Sequence, residues 1–281
     1  MSFEVTSRGR VFWPDAGFTK GDVADYYTAV ADALVPHVAG RPVTLLRSPE
    51  GVHRHGWYQT ECRGRPDWMA TAEIGTQRYC VFSDLRDVLW AINRGAVEFH
   101  AFLARADALD QPTAVVFDLD PGPPADLVDC CDVALVLRGE LRRRRLEAFA
   151  KTSGAAGLHV YVPVVGVTYA QTKTFARSVA YELAARSPEA VVARKERALR
   201  LGRVLVDWAQ NDATKSLAAV YSLRAMPWPT VSTPVSWDEV EKVAAERSPD
   251  ALTFLPDAVV ERVGRCGDLF RPVLESRFTL A

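Results

Sequence analysis

The apolar residues of this chain recur at two spacings, and each spacing predicts one kind of secondary structure. A period of about 3.6 residues predicts amphipathic helices, and short continuous apolar runs predict buried strands. Thr19 with Asp22, and Ser236 with Glu239, have the spacing of helix capping boxes. The predicted helices cover residues 20–38, 83–94, 125–148, 168–186 and 236–247.

Apolar runs of β-type composition predict the strands of the fold. A glycine-rich turn, residues 153–157, separates two of these runs and predicts a hairpin. The strands are too irregularly spaced for a doubly wound repeat, so we expect an α/β fold in a single domain over residues 1–281. The predicted strands lie over residues 42–47, 113–119, 148–152, 158–164 and 203–208.

The composition is that of an ordinary globular protein. Of the 281 residues, 48% are hydrophobic and 25% are charged, which is ample material for a core. The net charge of −1 predicts no polyanion partner by itself, so a nucleic-acid site requires a local basic patch. The N-terminus lacks a signal-peptide pattern, and no apolar run approaches the about 18–20 residues that cross a bilayer. We therefore expect a cytoplasmic protein without a membrane partner.

The five cysteines contain no Cys-x-x-Cys pair, which argues against a structural zinc site. Their odd number and irregular spacing are typical of reduced thiols in the cytosol. The cysteines are Cys62, Cys80, Cys130, Cys131 and Cys266.

Two aspartates end the predicted strand of residues 113–119 and give the first chemical signal. Asp118 and Asp120 are two positions apart, so they point to the same face of a strand. A divalent cation such as Mg²⁺ or Mn²⁺ would relieve their repulsion, and such ions commonly bridge carboxylates and substrate phosphates. Asp207 also ends an apolar run and is the best third ligand. The alternative is that these residues only cap turns at strand ends.

The turn from Ser153 to His159 gives the second signal. Its glycines, Gly154 and Gly157, allow a tight turn that presents backbone N–H groups to phosphate oxygens. Beside a carboxylate metal site, Ser153 and His159 favour triphosphate binding. An ordinary hairpin with a core histidine is the alternative, and a Ser-His-Asp hydrolase is disfavoured because the Gly-x-Ser-x-Gly motif is absent.

Basic and aromatic residues near the N-terminus give the third signal. Arg10 and Lys20 flank the first predicted turn and can hold a phosphate. Trp57 and Tyr58 stand among basic residues, which suits base stacking on a nucleic-acid strand. A partly buried aromatic pair on a strand is the alternative.

Taken together and in order, these motifs resemble a known family, the polymerase domain of bacterial ligase D within the archaeo-eukaryotic primase superfamily. The likeness extends over nearly the whole chain, including blocks around His100 and Arg224. The motifs that carry it are Phe117-Asp-Leu-Asp-Pro121, Lys151-Thr-Ser-Gly-x-x-Gly-Leu-His159, Val206-Asp207 and Tyr221-Ser-Leu-Arg224.

The resemblance implies a fold and a role for each matched position. The fold would have mixed or antiparallel central sheets flanked by helices. Catalytic metal ligands would be Asp118, Asp120 and Asp207. Nucleotide-binding residues would be Ser153, Gly154, His159, His100 and Arg224. DNA-binding residues would be Arg10 and Lys20, at a 5′-phosphate, and Trp57 and Tyr58, near the template base.

The activity implied is two-metal nucleotidyl transfer from an NTP or dNTP to a primer, with Mn²⁺ or Mg²⁺, in non-homologous end joining or gap repair. The partners implied are gapped or broken DNA, Ku and a separate DNA ligase, in the bacterial nucleoid. No Lys-x-Asp-Gly adenylation motif is present in this sequence, so we expect either a stand-alone primase-polymerase or a polymerase that works with separate ligase proteins. A primase that starts chains without a primer, or a non-catalytic DNA-end-binding module, is the alternative. A metal phosphoesterase is more distant, because no His-x-Asp or His-x-His pair is present.

The chain departs from the family pattern at several binding positions. Ala156 and Thr60 stand where the family often has Lys, and Gln210 stands where it has Arg. Arg10 replaces a Lys and keeps its charge with a different geometry. Nucleotide affinity and end binding are therefore less firmly implied than the metal site.

Overall fold

The computed structural model describes residues 3–280. The strands are β1 (Val11–Trp13), β2 (Phe18–Thr19), β3 (Pro42–Arg47), β4 (Trp57–Gln59), β5 (Ala70–Ile74), β6 (Gln77–Val81), β7 (Ala96–Phe102), β8 (Ala104–Arg105), β9 (Ala108–Pro112), β10 (Ala114–Pro121), β11 (Phe149–Thr152), β12 (Leu158–Pro163), β13 (Val191–Val192), β14 (Val204–Asp207), β15 (Ser216–Ala218) and β16 (Pro234–Val235). The helices are α1 (Lys20–Ala29), α2 (Ala31–Val38), α3 (Leu85–Asn93), α4 (Leu127–Arg143), α5 (Tyr169–Arg186), α6 (Trp237–Glu246), α7 (Pro256–Cys266) and α8 (Pro272–Glu275).

The chain forms two compact units, and each is built from separate stretches of sequence. Among the described residues, unit 1 contains residues 3–108, 216–233 and 254–268. Unit 2 contains residues 109–215, 234–253 and 269–280. The expectation of a single functional domain over the whole chain stays a prediction.

Unit 2 is built on a six-stranded sheet in the order β13-β14-β10-β12-β11-β16. Its pairings are antiparallel except for β13 with β14, which are parallel. Strand β10 lies in the interior of the sheet, and α4 and α5 both pack on it. Burial on both faces explains why β10 reads as a nearly continuous apolar run until its two aspartates.

Unit 1 contains a second six-stranded sheet, in the order β15-β7-β3-β6-β5, with β4 also paired to β3. All of its pairings are antiparallel. Its core is aromatic, with Tyr27, Phe82 and Phe99 fully or almost fully buried. Edge-to-face contacts join the rings of Tyr27 and Phe82 to that of Phe99, at centroid distances of 4.8 and 5.6 Å. The two sheets confirm the predicted mixed and antiparallel architecture.

The capping signals in the sequence are confirmed, although some helix bounds differ. Thr19, Thr168 and Ser236 each close a capping box at the start of α1, α5 and α6. The expected helix of residues 20–38 is two helices that meet at Val30. Helix α3 begins at Leu85 and not at residue 83 as predicted, because Asp84 caps it by accepting from the backbone N–H of Arg86.

The prediction for α4 was too long at its C-terminus. The helix ends at Arg143, and Arg145 adopts a left-handed conformation with φ of 59°. A residue in that conformation stops the helical hydrogen-bond ladder. The following residues can therefore leave the helix and enter β11.

The expectation of five reduced thiols was wrong for two of them. Cys62 and Cys80 form a disulfide with their Cα atoms 4.9 Å apart. The backbone N–H of Cys62 donates to the carbonyl of Arg78, so the loop after β4 runs beside β6 and brings the two sulfurs together. Cys130 and Cys131 are buried free thiols, and Cys266 is an exposed one. Over residues 3–280, no helix has the length and apolarity needed to cross a membrane.

Candidate functional site

Four ionisable side chains form one row across the sheet of unit 2. Lys151 on β11 is opposite His159 on β12, His159 is opposite Asp118 on β10, and Asp118 is opposite Asp207 on β14. Directly opposed residues of neighbouring strands project from the same face. The strand register therefore confirms the predicted adjacency of Asp207 and Asp118, and adds a lysine and a histidine to them.

The carboxylates of this row are bonded to protein donors. One Asp118 oxygen lies 3.2 Å from His159 Nε2, and the other accepts from the Gln210 side-chain amide at 3.2 Å. The same amide donates to Asp207 Oδ2 at 3.1 Å, so Gln210 bridges the two aspartates. Burial raises the pKa of Asp118. The charge of His159, its hydrogen bond and the charge of Lys151 together outweigh burial, so the pKa lies below its ordinary value.

Asp120 lies two residues further along β10 than Asp118, and its pKa is shifted in the opposite direction. Burial, followed by the negative charges of Asp118 and Asp207, raises its pKa to about 6, against a weaker opposing effect of Arg200. The repulsion inferred from the sequence is therefore present in the folded chain. A bound cation would be the direct way to remove it.

Two lysines that the sequence analysis did not assign to the site lie beside Asp207. Lys195 Nζ lies 2.7 Å from Asp207 Oδ2, although half of the lysine side chain is exposed. Burial and the charge of Lys195 lower the pKa of Lys215, while the charge of Asp207 opposes them. Lys195 comes from a loop with no periodic pattern, so local sequence reasoning could not have found it.

The donor chemistry of the three aspartates suits a hard divalent cation, which takes oxygen ligands. Nevertheless, in the described part of the chain no group of three or more His, Cys, Asp or Glu side chains is gathered closely enough to hold a metal ion. The carboxylate oxygens of Asp118 and Asp207 are engaged instead by Lys195, Gln210 and His159. The residue types fit a metal site, and the metal-binding role stays a prediction.

The glycine turn is held together by its own serine. Ser153 Oγ accepts from the backbone N–H groups of Ala155 and Gly157, each at 3.1 Å. Gly154 has φ of 71°, which a residue with a side chain rarely adopts. Two of the N–H groups expected to face a phosphate are thus used inside the turn. His159, at the end of this segment, is buried and directed at Asp118.

The other two predicted nucleotide-binding residues lie in unit 1 and contact a shared carboxylate. Glu98 Oε2 lies 2.7 Å from His100 Nε2 and 3.0 Å from Arg224 Nε. Sequence reasoning placed Glu98 in a family block without giving it a role. Its position two residues before His100 on one strand was the available signal.

Trp57 and Tyr58 are exposed on β4 but have different neighbours. The Tyr58 ring meets the ring of His100 edge-on at 5.3 Å between centroids. The guanidinium of Arg47 lies 5.1 Å from the centroid of the Trp57 ring. Because adjacent residues of a strand face opposite sides, the two rings cannot stack together on one face of a base.

Arg10 and Lys20 are brought together at the start of α1. The backbone N–H of Lys20 donates to the carbonyl of Arg10 at 2.8 Å. Lys20 is only 5% exposed, and its ammonium donates to the backbone carbonyl and the side-chain oxygen of Asn93 at 2.9 and 2.8 Å. Burial and the charge of Arg10 lower the pKa of Lys20. Asn93, which orients this lysine, was not found from the sequence.

Comparison with known proteins assigns the chain to a family. A family model described as the LigD primase-polymerase domain matches residues 19–270. The chain is 35% identical over 277 residues to the multifunctional non-homologous end joining protein LigD of Mycolicibacterium smegmatis, a match that covers 96% of this chain and 36% of that protein. It is 27% identical over 267 residues to the bifunctional LigD of Bacillus subtilis, covering 94% and 43%.

A solved structure agrees with this assignment. The polymerase domain from Mycobacterium tuberculosis ligase D, in complex with DNA, is similar with a TM-score of 0.89 and 32% identity, over 96% of this chain and 97% of that one. The chain spans 36% of the length of the Mycolicibacterium smegmatis protein and 43% of that of the Bacillus subtilis protein. Both the family resemblance and the fold expected from the sequence are confirmed, and the chain belongs to the LigD primase-polymerase domain family.

Proposed function

We propose that this chain is a template-directed nucleotidyltransferase that extends a primer strand and fills gaps in DNA during non-homologous end joining or gap repair. The observation that carries the proposal is the set of three aspartates on neighbouring strands of one sheet, with Asp118 opposite Asp207 and Asp120 on the same strand as Asp118. Burial and the negative charges of Asp118 and Asp207 raise the pKa of Asp120 to about 6, and cation binding would offset the repulsion among these carboxylates. Membership of a polymerase-domain family supports the same function.

In this proposal, the three aspartates of unit 2 bind the metal ions for nucleotidyl transfer. Two divalent ions, Mn²⁺ or Mg²⁺, would when bound stabilise the charge on the attacking and leaving oxygens of the reaction. Asp118 and Asp120 would hold both ions, and Asp207 mainly the one beside the primer 3′-hydroxyl. Gln210 and Lys195 both contact Asp207 Oδ2, so these contacts would have to break when Asp207 binds an ion. The 3′-hydroxyl attacks the α-phosphate of an NTP or dNTP, and pyrophosphate leaves.

The triphosphate requires positive charge and donors, which the chain offers at the predicted positions. We assign Ser153, Gly154 and His159 of unit 2 to this role. Within unit 1, we assign nucleotide binding to His100 and Arg224. The family's turn often carries a lysine where this chain has Ala156, and we propose Lys215, which interacts with the charge of Asp207, as the cation that replaces it.

The DNA partner is a gapped or broken duplex with a 5′-phosphate. Arg10 and Lys20 would bind that phosphate, because two adjacent cations repel each other until an anion arrives. Trp57 and Tyr58 would contact the template strand. A relative's polymerase domain has been solved in complex with DNA, which supports this role. Ku and a DNA ligase are the partners that we propose, in the bacterial cytoplasm.

A non-catalytic DNA-end-binding module is the second candidate. The observation that favours it is that Lys195, Gln210 and His159 already contact the carboxylates of Asp118 and Asp207. In this case the Arg10 and Lys20 pair would bind ends while unit 2 performed no chemistry.

One primer-extension assay separates the two candidates. The substrate is a gapped duplex with a 5′-phosphate, supplied with rNTPs or dNTPs and with Mn²⁺ or Mg²⁺. We expect incorporation of the nucleotide complementary to the template, and no incorporation in EDTA. Tight end binding without incorporation under all four conditions would leave the binding module as the function. Synthesis on an unprimed single strand would instead identify a primase.

A further inference from the structure

Glu98 is a buried carboxylate of unit 1 that contacts three donors. The residue is 3% exposed and lies on β7. His100 Nε2 lies 2.7 Å from its Oε2 atom, and Arg224 Nε donates to that atom at 3.0 Å. The backbone N–H of Ala225 donates to the other oxygen at 2.6 Å. Both oxygens of the carboxylate are therefore in use.

These contacts join a strand to a distant loop. Glu98 and His100 project from the same face of β7, whereas Arg224 comes from a segment 126 residues later in the chain. Glu98 is opposite Leu46 on β3, which is opposite Tyr58 on β4, so Tyr58 projects from this face too. The rings of Tyr58 and His100 meet edge-on, and Tyr58 is exposed. The contacts that begin at the buried Glu98 therefore extend to the surface.

The electrostatics keep Glu98 ionised. Burial alone raises its pKa, but hydrogen bonding from His100, the charges of Arg224 and His100 and the Ala225 N–H outweigh burial, and the pKa lies below its ordinary value. An ionised acceptor forms shorter and stronger hydrogen bonds than a neutral one. Because both of its oxygens contact protein donors and only 4% of its side chain is exposed, Glu98 acts on its neighbouring side chains.

We propose that Glu98 is a positioning residue, which holds His100 and Arg224 in one arrangement for the incoming nucleotide and fixes the loop that carries Arg224. This inference rests on the proposed function, because it takes His100 and Arg224 as nucleotide-binding residues. It adds to that function a residue that touches no substrate and yet sets nucleotide affinity.

Glu98→Gln is the most direct test, with Glu140→Gln as its matched control. Glutamine keeps the size of the side chain but turns one acceptor oxygen into a donor, so at least one of the three donors loses its partner. Glu140 of unit 2 is 4% exposed and also binds arginines, namely Arg143, Arg144 and Arg186, but it has no assigned role in the site. Both variants thus remove one buried negative charge.

We expect Glu98→Gln to raise KM for the nucleotide about tenfold, with kcat changed by less than about threefold, because it disturbs binding more than chemistry. Glu140→Gln should lower the thermal midpoint while leaving KM within about twofold of the wild type. Glu98→Gln combined with Arg224→Ala should have nearly the KM of Arg224→Ala alone, since the two act as one unit. An unchanged KM in Glu98→Gln, or an equal rise in Glu140→Gln, would overturn the proposal.

A second readout keeps this test separate from the proposed function. In ¹⁵N NMR of the full chain, Glu98→Gln should shift the ring nitrogens of His100 and leave those of the exposed residues His53 and His55 unchanged. If the wild type incorporates no nucleotide, the polymerase function fails and the His100 spectrum alone decides the positioning role. Ring nitrogens of His100 that match in wild type and Glu98→Gln would refute it.

Discussion

At the scale of single residues, the two aspartates of β10 differ in their affinity for protons although they lie two positions apart. Asp118 is opposite His159 and has a lowered pKa, whereas Asp120 has a pKa raised to about 6 by burial and by its acidic neighbours. An acid whose pKa is higher in the folded than in the unfolded chain binds more protons when folded. Its contribution to stability is therefore present at low pH and lost as the pH rises through about 6.

Asp120→Asn should consequently stabilise the metal-free protein in a pH-dependent manner. Above pH 6 we expect a gain in the free energy of unfolding on the order of 2 kcal/mol, because the variant cannot carry the repelled charge. Below about pH 3 the gain should vanish, since Asp120 is then protonated in both states. Urea unfolding in EDTA at several pH values measures this. The exposed strand residue Asp110, changed to Asn, is the control, and a pH-independent difference for Asp120→Asn would contradict the account.

At the scale of elements, the hairpin of β11 and β12 depends on a close approach to the aspartate strand. A Cβ atom on Gly157 would lie 2.0 Å from the carbonyl oxygen of Leu119, between the two aspartates of β10. That oxygen belongs to the backbone and cannot move without disturbing the sheet. Glycine is thus required at position 157 because a side chain would clash with this oxygen, and not because of the backbone φ angle.

Gly157→Ala should therefore destabilise the protein by about 2–3 kcal/mol and reduce primer extension with it. Gly139→Ala, in the middle of α4, is the matched change, because a Cβ atom there meets nothing within 4 Å. It should stabilise the protein by about 0.5–1 kcal/mol. Urea unfolding of both variants gives the comparison, and a Gly157→Ala protein as stable as the wild type would be inconsistent with the hairpin packing.

These elements also show how far the sequence could lead. Strand alternation was enough to place Asp118 and Asp120 on one face, and capping boxes are local enough to be read directly. Predicting the disulfide between Cys62 and Cys80 would have required knowing that the loop after β4 runs beside β6. No local sequence pattern encodes that path. Lys195 and Glu98 were missed for a related reason. Their partners, Asp207 and Arg224, come from other segments, and only the folded chain brings each pair together.

At the scale of the whole molecule, a net charge of −1 leaves DNA binding to local basic groups. Arg10 and Lys20 form such a group, and their mutual repulsion lowers the pKa of Lys20 after the effect of burial. A 5′-phosphate would offset both charges. Binding should therefore respond to the chemical state of the DNA end.

We expect a gapped duplex with a 5′-phosphate to bind about tenfold more tightly than the same duplex with a 5′-hydroxyl, a preference set by charge-assisted hydrogen bonds. Arg10→Ala should remove most of that preference. Arg8→Ala is the control, since Arg8 is already paired with Asp25 at 2.7 Å. Fluorescence anisotropy with both duplexes measures the ratio. Equal affinities for the two ends in the wild type would exclude this phosphate site.

The central claim is that the aspartates of β10 perform nucleotidyl transfer on DNA, and Asp118→Asn tests it most directly. The substitution keeps the shape of the side chain and its place opposite His159 but removes the charge that a divalent ion requires. Incorporation into a gapped, 5′-phosphorylated duplex should fall to background in Asp118→Asn, at unchanged DNA affinity. In Asp110→Asn it should equal that of the wild type. Wild-type incorporation by Asp118→Asn would contradict the account.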